Sequence, residues 1–309
     1  MGWSLWCCTP RLARCAGSRL RRCAVPTALP EPAWVQAIRP SAKPIRAWPT
    51  LCAVIAGLAH AASLALPGSG EPLWGLQLLA LAALAWLLEG ARDCRRAAFW
   101  LGWVFATAWL AGTFWWLYIS LHVYGGLAAP FAVLAVAALA FALALYYALA
   151  CLLFVVVAPA NLAGRALVFA ACWTLAELAR GVFFTGFPWG AAGYAHVDGL
   201  LAGYAPWLGV YGIGAIAAWL ALSLARITDC GRLQRIAALM LLTLPSVAQM
   251  GQDSSPVTQS AGVLSVTLLQ GNIAQDEKFQ SGSGVPDALS WYGAQLRAAR
   301  TELVVTPET

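Results

Sequence analysis

Glu308 lies in the segment TELVVTPET, directly after the β-branched apolar run Leu303–Val305. A carboxylate just past the carboxyl end of a strand sits where open α/β sheets place their ligands. Pro307 fixes the backbone ahead of it. Such a group can take a proton from a thiol, a hydroxyl or water. Position alone leaves a second reading open, a solvated Glu in a loop. Glu177 and Arg180, three residues apart near the end of an apolar stretch, form a second concentration of ionisable groups. An i, i+3 pair on one helix face can neutralise itself, and ionisable groups at membrane depth are functional by default. Trp189 ends the motif FTGFPW in the loop that follows. It reads either as a contact for an apolar substrate or as one more interfacial Trp. His60, His122 and His196 are isolated and read as structural. The nine cysteines match no zinc spacing, and their expected role is small apolar filler or reduced thiol. Neither a metal ion nor an organic cofactor is implied.

The elements that must position these residues follow from composition. Of the 309 residues, 61% are hydrophobic and 10% charged, with 16 Trp. Soluble domains carry about 25% charged residues, so the chain is expected to be an integral membrane protein. Apolar runs at roughly 51–66, 73–89, 98–121, 127–158, 166–184, 204–225 and 234–250 give about seven candidate transmembrane helices. About 20 apolar residues cross the hydrocarbon core; the first run is short and pairs with the second through Gly68-Ser69-Gly70. Arg92, Arg95, Arg96, Arg165, Arg226, Arg232 and Arg235 occupy alternate loops. The positive-inside rule then places the N-terminus in the cytoplasm and residues after about 250 in the periplasm.

Residues 1–50 form a basic, Pro-rich arm that holds eight of the 19 Lys and Arg. It is expected to be disordered, either as an extension or as the product of an upstream start codon. A basic flank of this kind reads as positive-inside bias and not as a nucleic-acid site. The polar stretch 251–262 reads as a linker after the transmembrane domain, 51–250. Beyond it, VLSVTLL reads as a buried strand, the stretch from Pro286 as a helix with a cationic finish, and Leu-Val-Val as a second strand. Strand, helix and strand in so short a space make a βαβ unit, which builds parallel sheet. Residues 263–309 are therefore expected to be the N-terminal fragment of an α/β domain.

The stretch AELARGVFFTGFPWGAAGYAHVDGLLAGYAPWLGVYG, together with YISLHVYGG, VTLLQGNIAQDEKF and LVVTPET, resembles the apolipoprotein N-acyltransferase family from about residue 51 onward. The resemblance implies a polytopic α-helical membrane domain followed by the start of a periplasmic nitrilase-like αββα domain. It also implies an acyl transfer from a membrane phospholipid, through a cysteine thioester, to the N-terminal amine of a diacylglyceryl-cysteine apolipoprotein. The partners implied are the phospholipid donor, the apolipoprotein and the bilayer, in a bacterial inner membrane. Of the family's Glu–Lys–Cys triad only the Glu is carried over, at Glu308; its Lys and Cys lie further along the family's domain. Lys278 lies about thirty residues too early to serve. The 309 residues are therefore expected to be a truncated and, alone, inactive enzyme. The resemblance further suggests substrate contacts for Trp189, for Arg180 as a partner for a phospholipid phosphate, and for Phe279, where relatives often carry Trp. A transporter would instead require inverted repeats or mid-span charges. A membrane scaffold would need no βαβ unit ending in a carboxylate, and a nitrilase merely fused to helices would not need FTGFPW.

Overall fold

The computed structural model describes residues 47–250, 261–273 and 284–307, with side chains up to 244 in the first of these segments. All of them belong to the second of two compact units, Pro44–Thr309. Glu308 and Phe279 lie outside the described residues, as do Lys278, the linker stretch 251–260 and the arm up to residue 46.

Among the described residues, eight α-helices make up the apolar part. They are α1 (Ala47–Leu64), α2 (Trp74–Gly90), α3 (Arg95–Thr113), the short α4 (Trp116–Ile119), α5 (Ala129–Val157), α6 (Leu162–Val182), α7 (Ala205–Ala225) and α8 (Arg232–Met250). α1 begins before residue 50, so the expected boundary of the arm falls inside a helix. Asn161 caps α6 by accepting from the Gly164 amide (2.7 Å). Pro130 and Pro206 stand in the first turns of α5 and α7, where a missing N–H costs nothing.

Among the described residues, four helices are long and apolar enough to cross a membrane: α1, α5, α6 with the turn after it, and α7 with the turn before it. A fifth is added if α3 and Trp116–Tyr124, bent by 51°, count as one span. The seven expected spans are thus not all shown. The run 73–89 became a helix of only 17 residues. The run 234–250 became α8, whose first turn carries Arg232, Gln234 and Arg235. The run 98–121 is broken at its bend. There Thr113 Oγ1 donates back to the Trp109 carbonyl (3.0 Å), a bond that competes with the helical ladder.

Helices associate in lipid through close packing and not through expulsion of apolar surface from water. α3 packs on α1 and α5, α6 on α5 and α7, and α2 on α1 and α7. Gly102 on α3 shows how close the approach is, since a Cβ there would stand 2.7 Å from Cys151 Sγ. Phe105, Trp109, Tyr147, Trp173, Leu81, Leu84 and Leu88 fill the interior. Leu, Phe and Val such as Phe131, Leu134, Leu145 and Leu149 face outward from α5, the reverse of a water-soluble surface. At one end Glu89 (α2) takes Arg165 (α6) at 3.1 Å and Arg226, just after α7, at 3.3 Å. Arg226 also pairs with Asp229. This three-way clamp ties the loops of that end together.

After the apolar part comes a parallel pair. β1 (Val266–Leu268) and β2 (Leu303–Val305) align Val266 with Leu303 and Leu268 with Val305, joined through α9 (Gly284–Ala298). The Glu302 carboxylate accepts from the Ser265 amide and hydroxyl, both at 2.9 Å. Those two bonds hold its carboxyl below the usual carboxylate range. The strand, helix and strand expected from the sequence are therefore present, but β1 is not buried as expected, since Val266 and Leu268 are exposed; β2 runs into Thr306 and Pro307.

Candidate functional site

The end of the bundle opposite the Glu89 clamp is closed by the loop between α6 and α7. α6 finishes at Val182, and the backbone then enters the left-handed region at Phe184 (φ 55°), Thr185 (φ 72°) and Gly186 (φ 79°). For Phe and Thr this costs on the order of 1–2 kcal/mol each, so the surrounding structure must hold it in place. Arg180 is the main holder. Its backbone carbonyl accepts from the Phe187 amide (2.8 Å). Its Nη1 donates to the carbonyls of Phe187 (2.5 Å) and Trp189 (2.7 Å), and its Nε donates to Tyr147 Oη (2.9 Å). The side chain is fully buried, and the guanidinium carbon lies 5.9 Å from the Trp109 ring centroid. A planar fork serving separate acceptors suits guanidinium and not ammonium.

The next turn of the loop is fastened by Glu177. Its Oε1 accepts from the Ala192 amide (2.7 Å). Gln77 on α2 donates from Nε2 to the Ala192 carbonyl (2.9 Å), and its Oε1 accepts from His196 Nε2 (3.0 Å). The Ala192 carbonyl requires a donor, which sets the orientation of the Gln77 amide and makes His196 Nε2 a donor. Glu177 and Arg180 do not pair with each other, contrary to the expected self-neutralising pair. Among the described residues the ion pairs are those at Glu89 and Arg226. Glu177 and Arg180 each turn to the loop backbone instead, where the carbonyls of Phe187 and Trp189 and the amide of Ala192 need partners.

The loop presents aromatic side chains. Trp189 is 56% exposed and packs edge-on against Trp116 (5.5 Å) and Phe187 (5.0 Å), while Phe187 packs on Phe114 (4.9 Å). Gly190 follows at φ 74°, and a Cβ there would stand 2.8 Å from Thr113 Cγ2. Phe184, at the turn, is 94% exposed. The structure thus brings two of the four expected site residues together, with the Arg180 guanidinium on the Trp189 carbonyl. Sequence reading missed Gln77 and Ala192. It took His196 as isolated, whereas His196 completes the network and stacks on Trp74 (6.4 Å). His60 packs within Phe105, Trp109 and Trp173, and His122 Nδ1 meets the Leu127 carbonyl at 2.8 Å. A polar residue inside an apolar run, such as Gln77, is the one signal that could have pointed to the network.

Burial pushes the His196 imidazole down from 6.5 to about 4. The folded loop therefore binds fewer protons than an opened one. Its stabilising effect is complete above about pH 6.5 and is lost as pH falls through about 4. The thermal midpoint of the chain is expected to fall over that window, and the His196→Gln variant to show a shallower fall. Equal slopes for the two proteins count against this role of His196.

Apolar helices packed through small residues, with one end sealed by buried polar groups under an aromatic loop, define a polytopic helical membrane protein. Comparison with known sequences narrows this class. The family described as apolipoprotein N-acyltransferase N-terminal domain matches residues 44–223. The chain belongs to the apolipoprotein N-acyltransferase family. The apolipoprotein N-acyltransferase of Verminephrobacter eiseniae is 55% identical over 281 residues, which are 86% of this chain and 52% of that protein. Those of Ralstonia nicotianae and Azotobacter vinelandii are 43% and 39% identical, over 76% and 82% of this chain and 45% and 50% of theirs. The chain spans about half the length of these curated relatives.

Proposed function

We propose that this chain supplies the membrane domain and the opening of the catalytic domain for transfer of a fatty acyl chain to an apolipoprotein. The donor is a membrane phospholipid and the acceptor is the N-terminal amine of a diacylglyceryl-cysteine apolipoprotein, through a cysteine thioester. The observation that carries the reading is the fastened FTGFPW loop. Arg180 and Glu177, with no pairing between them, spend their hydrogen bonds on holding one short loop, and that loop turns Trp189 outward. A rigidly held aromatic at the lipid boundary suits contact with an acyl chain.

Seven spans, a cytoplasmic N-terminus and a periplasmic region after about residue 250 fit the Arg-bearing loops at the Glu89 end. The βαβ unit is consistent with the start of a nitrilase-like sheet, with Glu308 three residues past β2 as general base. In the first step Glu308 takes the thiol proton of the nucleophilic cysteine, and the thiolate attacks the ester carbonyl of the phospholipid. The C–S bond forms, the ester C–O bond breaks, and the proton passes to the departing lysophospholipid alkoxide. In the second step the lipoprotein amine attacks the thioester carbonyl, the C–N bond forms and the C–S bond breaks, and Glu308 passes the amine proton to the departing thiolate. Trp189 contacts the acyl chain, and Phe279 is assigned to substrate binding by the family resemblance alone. Arg180 serves substrate binding through the loop; its buried Nη2, without a hydrogen-bond partner among the described residues, would meet a phosphate oxygen only once the loop opens.

The nine cysteines lie at or before residue 230, within the arm, the apolar helices or the loops between them. The 309 residues by themselves are therefore expected to give no turnover. The test fuses this chain to the remaining half of the Verminephrobacter eiseniae relative and supplies fluorescent phospholipid and a diacylglyceryl peptide in vesicles. Acylated peptide is expected from the fused protein and none from the chain alone. A folded fused protein without product would overturn the reading.

A further inference from the structure

The end of the bundle that carries the Glu89 clamp holds a cavity of about 450 Å³ between α3 and α5, lined by Arg95, Arg96, Phe99, Trp100 and Leu152. It lies at the opposite end of α3 from the FTGFPW loop, which packs near Thr113 and Phe114.

Its charge is unbalanced. Both Arg side chains are exposed. Glu89, the buried acid of this end, is already taken by Arg165 and Arg226, and Asp229 by Arg226. Asp93, exposed in the same loop, makes no ion pair with either Arg. Arg95 and Arg96 also open a 19-residue helix that has no acidic residue in its first turn and no side-chain cap from Cys94. Free first-turn amides put partial positive charge at that end. Two guanidiniums beside them are repelled by the helix end, and an anion between them turns that repulsion into attraction.

The cavity wall is almost wholly apolar, with the stems of Arg95 and Arg96 forming part of it and their exposed guanidiniums at its rim. Trp100 Nε1 donates to Thr50 Oγ1 (3.2 Å), and the ring packs on Trp103 (5.5 Å). A free phosphate ion would satisfy the guanidiniums and leave the wall of Phe99, Trp100 and Leu152 unused. A head group that continues into methylenes uses both. Basic pockets between membrane helices on the cytoplasmic side take acidic lipid head groups on the same physical ground.

We propose that this cavity binds an anionic phospholipid, with the phosphate on Arg95 and Arg96 and the upper acyl chain along Phe99, Trp100 and Leu152. The site is separate from the acyl-transfer chemistry at the other end of the bundle and does not depend on it.

The test is native mass spectrometry of the full purified chain released from nanodiscs containing equal amounts of phosphatidylglycerol and phosphatidylcholine. Each basic residue near a membrane surface contributes on the order of fivefold, so two predict roughly 10- to 30-fold preferential retention of phosphatidylglycerol. The Arg95→Gln/Arg96→Gln double variant is expected to lose that preference. Leu152→Trp fills the cavity without altering charge and is expected to lose it too. Arg92→Gln, in the same loop but outside the cavity, is expected to keep it. Full preference in Leu152→Trp, or equal loss in Arg92→Gln, would mean a diffuse positive field and overturn the site. Complete displacement of the lipid by inorganic phosphate would overturn it as a lipid site.

Discussion

Replacing Arg180 with alanine is expected to lower the stability of the membrane domain by about 3–5 kcal/mol, the range for removing one partner from a buried charged network. Tyr147 Oη and the carbonyls of Phe187 and Trp189 lose their donor together, and buried Glu177 loses the nearest positive charge. Arg180→Lys is expected to recover little, because one ammonium on a flexible stem cannot serve acceptors spread over a helix and a loop. Equilibrium unfolding in mixed micelles measures the loss, and limited proteolysis between residues 183 and 190 shows where it occurs. If the variant unfolds like the parent and its loop stays protected, Arg180 is not what holds the turn. A variant that folds but fails only in acyl transfer, with a raised KM for phospholipid, would instead favour direct contact through Nη2.

Glu308→Gln in the fused protein is expected to slow acyl transfer by about 100- to 10,000-fold, the usual contribution of a positioned general base. Gln keeps the volume and hydrogen-bonding capacity of the side chain but cannot accept the thiol proton. The first half-reaction should carry the defect. Thioester formation from fluorescent phospholipid, followed in a single turnover, is expected to fall by the whole factor, while unfolding is unchanged. A rate within threefold of the parent would place the base elsewhere and return Glu308 to a solvated loop carboxylate.

Much of the helical architecture could be read from hydropathy, since every apolar run but 98–121 became one helix within a few residues of its expected bounds. The exceptions have local causes. The run 98–121 bends by 51° after Thr113, a break that hydropathy does not mark, and α1 starts inside the arm because Ala47 and Trp48 already continue its apolar pattern. The apolar run VLSVTLL, the Pro286 start and cationic finish of α9, and the run Leu-Val-Val made the βαβ unit legible. The site was legible only as a set of residues. That Arg180 holds loop carbonyls depends on left-handed Phe184 and Thr185, which residue preferences argue against. Gln77 and Ala192 meet across 115 positions of chain, a distance that periodicity does not reach.

The seal over the bundle also carries an order of assembly. Arg180 reaches its two loop carbonyls across only seven and nine residues, and Tyr147 across 33, whereas Gln77 meets Ala192 and His196 across 115 and 119. Short closures are entropically cheap and fast, and long ones must await the arrival of distant segments. The turn after α6 therefore zips onto its own helix while the bundle is still gathering, and α2 latches onto a loop already shaped. A lesion at Gln77 acts late, on docking, and a lesion at Arg180 acts early, on the piece to be docked.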